Sequence, residues 1–132
     1  MIKLTIAGNP MGKQRARTMK GFSFTPAKTM NYETLIKELF IIAYPDHRII
    51  EGAVILKIAA YYPIPKSASN KKKEMMMKGE IRPIVRPDFD NVIKIFADAL
   101  SALAYKDDSQ VVGSEFSKYY GTPRCEIVIE DG

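Results

Sequence analysis

The feature that most constrains this chain is one amphipathic stretch with carboxylates at both ends. Val92, Phe96, Ala99, Leu100 and Leu103 recur at the spacing of a single helix face, while Asn91, Lys94 and Asp98 share a polar side. A helix of this kind must bury its apolar stripe, so it demands a second layer to pack against. Asp90 is the expected N-cap, Asp88 lies two residues upstream, and Asp107 and Asp108 break the apolar pattern at the far end. Along a straight helix Asp90 and Asp107 would stand about 25 Å apart, at roughly 1.5 Å per residue. The two acidic groups can serve one site only if the chain reverses after the helix.

The remaining sequence supplies the second layer. Ile2, Leu4 and Ile6 alternate with polar residues as in a half-buried strand, which ends at Gly8-Asn9-Pro10. Residues 52–62 are rich in β-branched and aromatic side chains and read as a second strand. Residues 111–120 and 124–130 read as two more, joined in a hairpin by Gly121-Thr122-Pro123. Tyr32, Leu35, Ile36, Leu39 and Phe40 mark another helix, opened by Thr25 as N-cap and Pro26 in its first position and closing near Tyr44, before Pro45. Ser69 is a candidate cap for a short helix carrying Lys71, Lys72 and Lys73, and residues 82–87, with two prolines, read as an extended loop. The predicted class is therefore α+β: a small mixed or antiparallel four-stranded sheet with helices packed on one face. At 132 residues this is one domain spanning 1–132.

Charge is distributed unevenly. The net charge is +5, yet up to Arg86 there are 16 Lys and Arg against 6 Asp and Glu, and from Pro87 onward 4 against 9. A basic body followed by an acidic cluster suits a protein that holds a polyanion with one part and a cation with another. Solvated charged faces would give the same totals. No apolar run approaches the ~20 residues of a membrane span and no signal-type segment opens the chain, so the expectation is a cytoplasmic protein. The single cysteine, Cys125, sits in a strand-like run and reads as a packing residue.

The available chemistry is narrow. His47 is the only histidine, which excludes a His-rich zinc site and a His-based triad. Gly8 to Lys13 is not a phosphate-cradling P-loop: three residues, not four, separate its glycines, and Gln14 stands where Ser or Thr would meet Mg²⁺. No nucleotide cofactor is expected. What is left is carboxylate chemistry. A few Asp side chains can hold a hard divalent ion that activates water at phosphorus, and Lys94 could then stabilise the added charge of the transition state. The plainer reading makes Asp90 and Asn91 helix caps and Lys94–Asp98 a surface pair worth a few tenths of a kcal/mol.

At this point the residues meet a known pattern. Arg86-Pro87-Asp88-Phe89-Asp90-Asn91-Val92-Ile93-Lys94, then Asp98-Ala99-Leu100, then Asp107-Asp108-Ser109-Gln110, resembles the signature of the RusA family of Holliday junction resolvases. Gly8-Asn9-Pro10-Met11-Gly12-Lys13-Gln14-Arg15-Ala16-Arg17 is similar to the family's opening motif. The resemblance implies Asp88, Asp90 and Asp108 as metal ligands, with Asp107 the less certain of its pair, and Lys94 as the catalytic lysine. It also implies Mg²⁺, or Mn²⁺ in its place, as cofactor. The substrate would be branched DNA with four arms, cut by paired symmetric nicks in recombination and repair, and the protein a homodimer. Many relatives are encoded by prophages.

Around that signature stand weaker candidates. Lys13, Arg15 and Arg17 alternate along an extended segment and are candidate phosphate contacts, as are Lys71, Lys72 and Lys73, although a lysine run is commonly a solvated face. Tyr61-Tyr62 and Phe22 with Phe24 could stack on exposed bases, but packing is the commoner fate. Met75-Met76-Met77 reads as a helix face covering a core edge or a dimer surface. The competing functions are a flap or other structure-specific nuclease, a catalytically silent DNA-binding module and a small protein-interaction domain.

Overall fold

Alternation along four strands builds the surface on which the central helix is buried. The computed structural model describes residues 1–14, 17–19, 22–24 and 27–132; Thr25, Pro26 and Arg15, and the side chains of Arg17, Phe22 and Phe24, lie outside the described residues. In chain order the elements are β1 (Ile2–Ala7), β2 (Arg17–Met19), β3 (Phe22–Phe24), α1 (Ala27–Ala43), β4 (Val54–Tyr62), α2 (Asn70–Met77), α3 (Phe89–Leu100), a 3₁₀ turn (Asp108–Gln110), β5 (Val111–Tyr120) and β6 (Arg124–Asp131). The architecture is α+β with a mixed four-stranded sheet, as the periodicities indicate. Strands β2 and β3 pair separately, in a segment that the sequence reads only as polar and basic.

The sheet order is β1-β6-β4-β5. This corrects the expected hairpin: β5 and β6 are consecutive in sequence but β4 lies between them, parallel to β5 and antiparallel to β6. Gly121-Thr122-Pro123 passes over the end of β4, where the Gly121 amide donates to the Tyr62 carbonyl at 3.0 Å. Four Cα steps reach at most about 14 Å, enough to cross two strand spacings of about 4.8 Å each. The composition of such a connection is that of any tight turn, so the sequence does not distinguish the two pairings.

One face of the sheet carries Ile2, Leu4 and Ile6, the even-numbered residues from Val54 to Tyr62, and Cys125, Ile127 and Ile129, all buried. Against it pack α1, through Tyr32, Ile36 and Phe40, and α3, through Val92, Ile95, Phe96, Ala99 and Leu100. Tyr32 and Phe96 meet edge to face at 5.8 Å. Helix α3 ends at Leu100, so Leu103 is not on its stripe. Ser69 caps α2 as expected, accepting from the Lys72 amide. Within α2 the methionine run divides: Met76 is buried and Met77 exposed. No helix among the described residues is long and apolar enough to cross a membrane.

One buried polar group goes without a partner among the described residues, the Tyr32 hydroxyl. Burial, and then the neighbouring Cys125 thiol, push its pKa far above the usual tyrosine range. An unpaired buried hydroxyl costs stability. Tyr32→Phe should therefore leave the melting temperature unchanged or raise it. A fall of several degrees in a thermal melt would show that the hydroxyl is satisfied after all.

Candidate active site

The site is assembled where the segment after β1 meets the start of α3. Gly8 adopts φ +105°, a conformation open to glycine, and its amide donates to the Pro123 carbonyl at 3.0 Å. The chain then lies along α3. The Lys13 amide donates to the Asn91 carbonyl at 2.8 Å and the Gln14 amide to buried Thr29 Oγ1 of α1 at 3.3 Å. Gly12 permits the approach, because a Cβ there would fall 2.9 Å from Pro87 Cβ and 3.0 Å from Asn91 Cβ. Lys13 is tied into the fold, its ammonium pairing with Glu33 of α1 and, at 3.3 Å, with Asp98 of α3. Burial works against its charge, but hydrogen bonds and attraction from Glu33 and Asp98 outweigh it and raise its pKa. Lys13, read from sequence beside Arg15 and Arg17 as a phosphate contact, is thus also tied to both helices.

Helix α3 begins two residues earlier than the expected Asp90 cap would require. Asp88 is the N-cap, with extended backbone (φ −71°, ψ 157°), and its carboxylate makes no capping bond. Asp90 lies in the first turn, and both aspartates are exposed. A capping aspartate ordinarily accepts from the N2 or N3 amide; Asp88 does not. The loop carrying it enters through a cis Arg86–Pro87 peptide and is anchored by the Tyr62 hydroxyl, which donates to the Pro87 carbonyl at 2.8 Å. Burial first, then the nearby Cys125 and Asp88, push the Tyr62 pKa up to about 12. An open pocket of about 800 Å³ results, with Lys13, Gln14, Arg86, Asp88 and Asn91 on its walls.

The reversal after α3 that a shared site requires is present. Ala102 takes the left-handed conformation (φ 69°), its amide donates to the Tyr105 carbonyl at 2.7 Å, and the fully buried Tyr105 hydroxyl donates to the Ala97 carbonyl at 2.7 Å. Ala97 lies in the last turn of α3, where carbonyls have no intrahelical donor, so this bond also satisfies an otherwise orphaned group. The chain is folded back along the helix. Asp108 consequently reaches Lys94, whose Nζ lies 3.2 Å from Asp108 Oδ2 and 3.0 Å from Asp98 Oδ1. Both carboxylates raise the Lys94 pKa, Asp98 foremost.

The same turn separates the roles of the paired aspartates. Asp107 is an N-cap: its carboxylate accepts from the Ser109 amide at 3.1 Å, a bond that lowers its pKa. Gln110 completes a capping box and donates to the carbonyls of Ile50 and Gly52, both at 2.8 Å. Asp108 alone of the pair faces α3 through Lys94. Among the described residues no three His, Cys, Asp or Glu side chains stand close enough together to hold a metal ion. The donor chemistry is that of a hard divalent cation, carboxylate oxygens of which those on Asp88 and Asp90 have no hydrogen-bond or ion-pair partner among the described residues.

With this geometry in place, comparison with known proteins is decisive. The family model described as endodeoxyribonuclease RusA matches residues 7–130. The chain belongs to the RusA family of endodeoxyribonucleases. The matched span runs from the end of β1 into β6 and includes the residues described above. The chain is also similar to the uncharacterized protein YqaN of Bacillus subtilis (strain 168), 41% identical over 140 residues, covering 98% of this chain and 96% of that protein.

The fold also reveals basic residues that sequence reading missed. Beside the loop of this RusA chain, a row crosses the sheet: the Arg124 guanidinium lies 3.6 Å from the Tyr61 ring centre, Tyr61 stacks on Tyr119 at 5.2 Å, and Arg82 lies 4.1 Å over Tyr119. Lys118 donates to the Val85 carbonyl at 2.7 Å, holding the loop. The row depends on β4 separating β5 from β6, which the expected hairpin concealed. Lys71 and Lys72 are exposed on α2, and Lys73 is half-buried.

Two outcomes are expected. Tyr105→Phe leaves the Ala97 carbonyl unpaired and should cost about 1–3 kcal/mol in denaturant unfolding; an unchanged midpoint would mean the return loop is held by packing alone. Tyr62, Lys13 and Lys94 all have folded pKa values above their ordinary values of 10.0 for Tyr and 10.5 for Lys. Their stabilisation is fully present below those ordinary values and lost as pH rises through the folded ones. Stability should fall as pH climbs from about 10, and a flat profile between about pH 9 and 12 would contradict the assignment.

Proposed function

We propose that the protein is a cytoplasmic, Mg²⁺-dependent endonuclease that acts as a homodimer on four-way DNA junctions and makes paired symmetric nicks. The observation that carries this reading is the return of Asp108 to Lys94, on the helix whose first turn offers Asp88 and Asp90. Those three aspartates would hold the ion, with Mn²⁺ able to substitute. A bound divalent ion would supply a Lewis acid at the scissile phosphate and acidify the attacking water.

The chain's own groups do the rest. Asp88, free of capping, presents its carboxylate at the mouth of the pocket, and Asn91 and Gly12 set that mouth by close packing. Lys94 stays protonated, since Asp98 and Asp108 raise its pKa, and offers a fixed positive charge for the oxygens of the transition state. Asp98 is shared between Lys94 and Lys13 and so positions the ammonium. Arg86 supplies a planar donor set suited to phosphate. Lys71, Lys72 and Lys73 crowd the first turn of α2, where the helix dipole disfavours cations by about 0.3–1 kcal/mol each. No ion pair offsets that cost among the described residues, which is the pattern of a surface completed by an anionic partner.

The test is a nicking assay on a synthetic four-way junction, a flap and a linear duplex, with Mg²⁺, Mn²⁺ or chelator. Metal-dependent paired nicks on the junction, abolished in Asp88→Asn with junction binding kept, are expected. Equal cutting of flaps or duplex would reassign the enzyme to general structure-specific cleavage, and binding without cleavage would leave a DNA-binding module. Replacing Lys71, Lys72 and Lys73 with Gln should flatten the salt dependence of binding by about 0.9 in log–log slope for each phosphate no longer neutralised. An unchanged slope would remove that patch from the interface.

A further inference from the structure

A second cavity adjoins the carboxylate pocket and differs from it in character. Its volume is about 360 Å³, and it shares Pro10, Met11, Arg86 and Pro87 with the first pocket while adding Tyr62, Tyr120, two further prolines, Asn9 and Val85. The walls are stiff. Proline rings have no χ freedom to lose, and Tyr62 is fixed by its bond to the Pro87 carbonyl at 2.8 Å. Lys118 fixes the outer wall at Val85. The lining is mostly apolar and aromatic, with one amide, Asn9, and one guanidinium, Arg86, placed on the border between the two cavities.

We infer that this cavity receives one unpaired nucleobase of the DNA, lodged beside Tyr62 and Tyr120, while Arg86 holds the phosphate that joins it to the strand in the carboxylate pocket. The inference rests on the nuclease reading above. Three features select this occupant. The volume lies at the low end of small-ligand sites, room for one planar base and not for a paired duplex. The single positive charge, Arg86, lines both cavities, on the side where the occupant's backbone must leave toward Asp88, so the cavity matches an apolar ring attached to an anion. The Asn9 amide can both donate to and accept from a base edge, as an apolar cavity built for packing would not require. A base enters such a cavity only when unstacked. Branch points offer that at low cost and continuous duplex does not, so the cavity would contribute to choosing where the strand is cut.

The test uses four-way junctions bearing 2-aminopurine at successive positions around the branch, held uncut in Ca²⁺, with the full chain and with Val85→Trp. Val85 is 51% exposed at the rim, so the indole can fill the cavity without entering the core. Wild-type protein should change the fluorescence at one position and its symmetry-related counterpart only. The Val85→Trp variant, shown folded by its thermal melt, should abolish that change and weaken junction binding about 5- to 150-fold, the range expected for one base–aromatic contact, with linear-duplex binding unaltered. If wild type cuts junctions but no position responds, or if Val85→Trp binds and responds like wild type, the inference falls and the nuclease reading stands. If Val85→Trp instead converts a dimer to a monomer, the cavity belongs to a second copy of the chain. If wild type neither binds nor cuts junctions, both readings fall together.

Discussion

The hydrogen bond from Tyr105 to the Ala97 carbonyl is the contact on which the candidate site depends. It closes the last turn of α3 and turns the chain back along the helix in one step. Without that reversal Asp108 would not reach Lys94, and nothing would tie the return loop to the polar side of α3. Its hydroxyl is buried, and burial together with the charges of Asp108 and Asp98 holds the phenol strongly in its neutral, donating form. The donor needed to hold the turn is thus made more secure by the acidic groups the turn brings together.

The lysines show how this charge is managed in the protein itself. Asp98 sits between Lys13 and Lys94, and each lysine reaches a second carboxylate, Glu33 or Asp108. The chain of alternating charge ties the opening segment, α1, α3 and the return loop into one unit. Asp88 and Asp90 stand outside it. Ion pairs as exposed as Lys94–Asp108 contribute little to stability, so the network is better understood as fixing orientation. It leaves Asp88 and Asp90 uncommitted at the start of α3, the helix that also carries Lys94.

Much of this was legible in the residues. The alternation of Ile2, Leu4 and Ile6, the stripe from Val92 to Leu100 and the Ser69 cap each follow from local periodicity or capping chemistry, and the structure has them. Non-local choices were not legible. Whether β6 pairs with β5 or with β4 is decided by a crossing at Gly121–Pro123 that has the composition of an ordinary turn, and with it went the Arg124–Tyr61–Tyr119–Arg82 row. Asp88 and Asp90 compete for one cap, and the extended Asp88 backbone resolves it. Asp107 and Asp108 are adjacent and chemically identical; only the capping box with Gln110 separates them. Lys13 looked like one basic residue in an alternating row because Glu33 and Asp98 are distant in sequence.

The central claim is that Asp88, Asp90 and Asp108 act together on one kind of ion, and its most direct test is Mn²⁺ binding by calorimetry to the free protein and to Asp88→Asn, Asp90→Asn and Asp108→Asn. The account expects binding in the unaltered chain that is lost or weakened at least tenfold in each of the three variants, while Asp107→Asn binds as before. Equal binding by Asp108→Asn would mean that the folded-back turn delivers Asp108 to Lys94 alone, and would contradict a shared site.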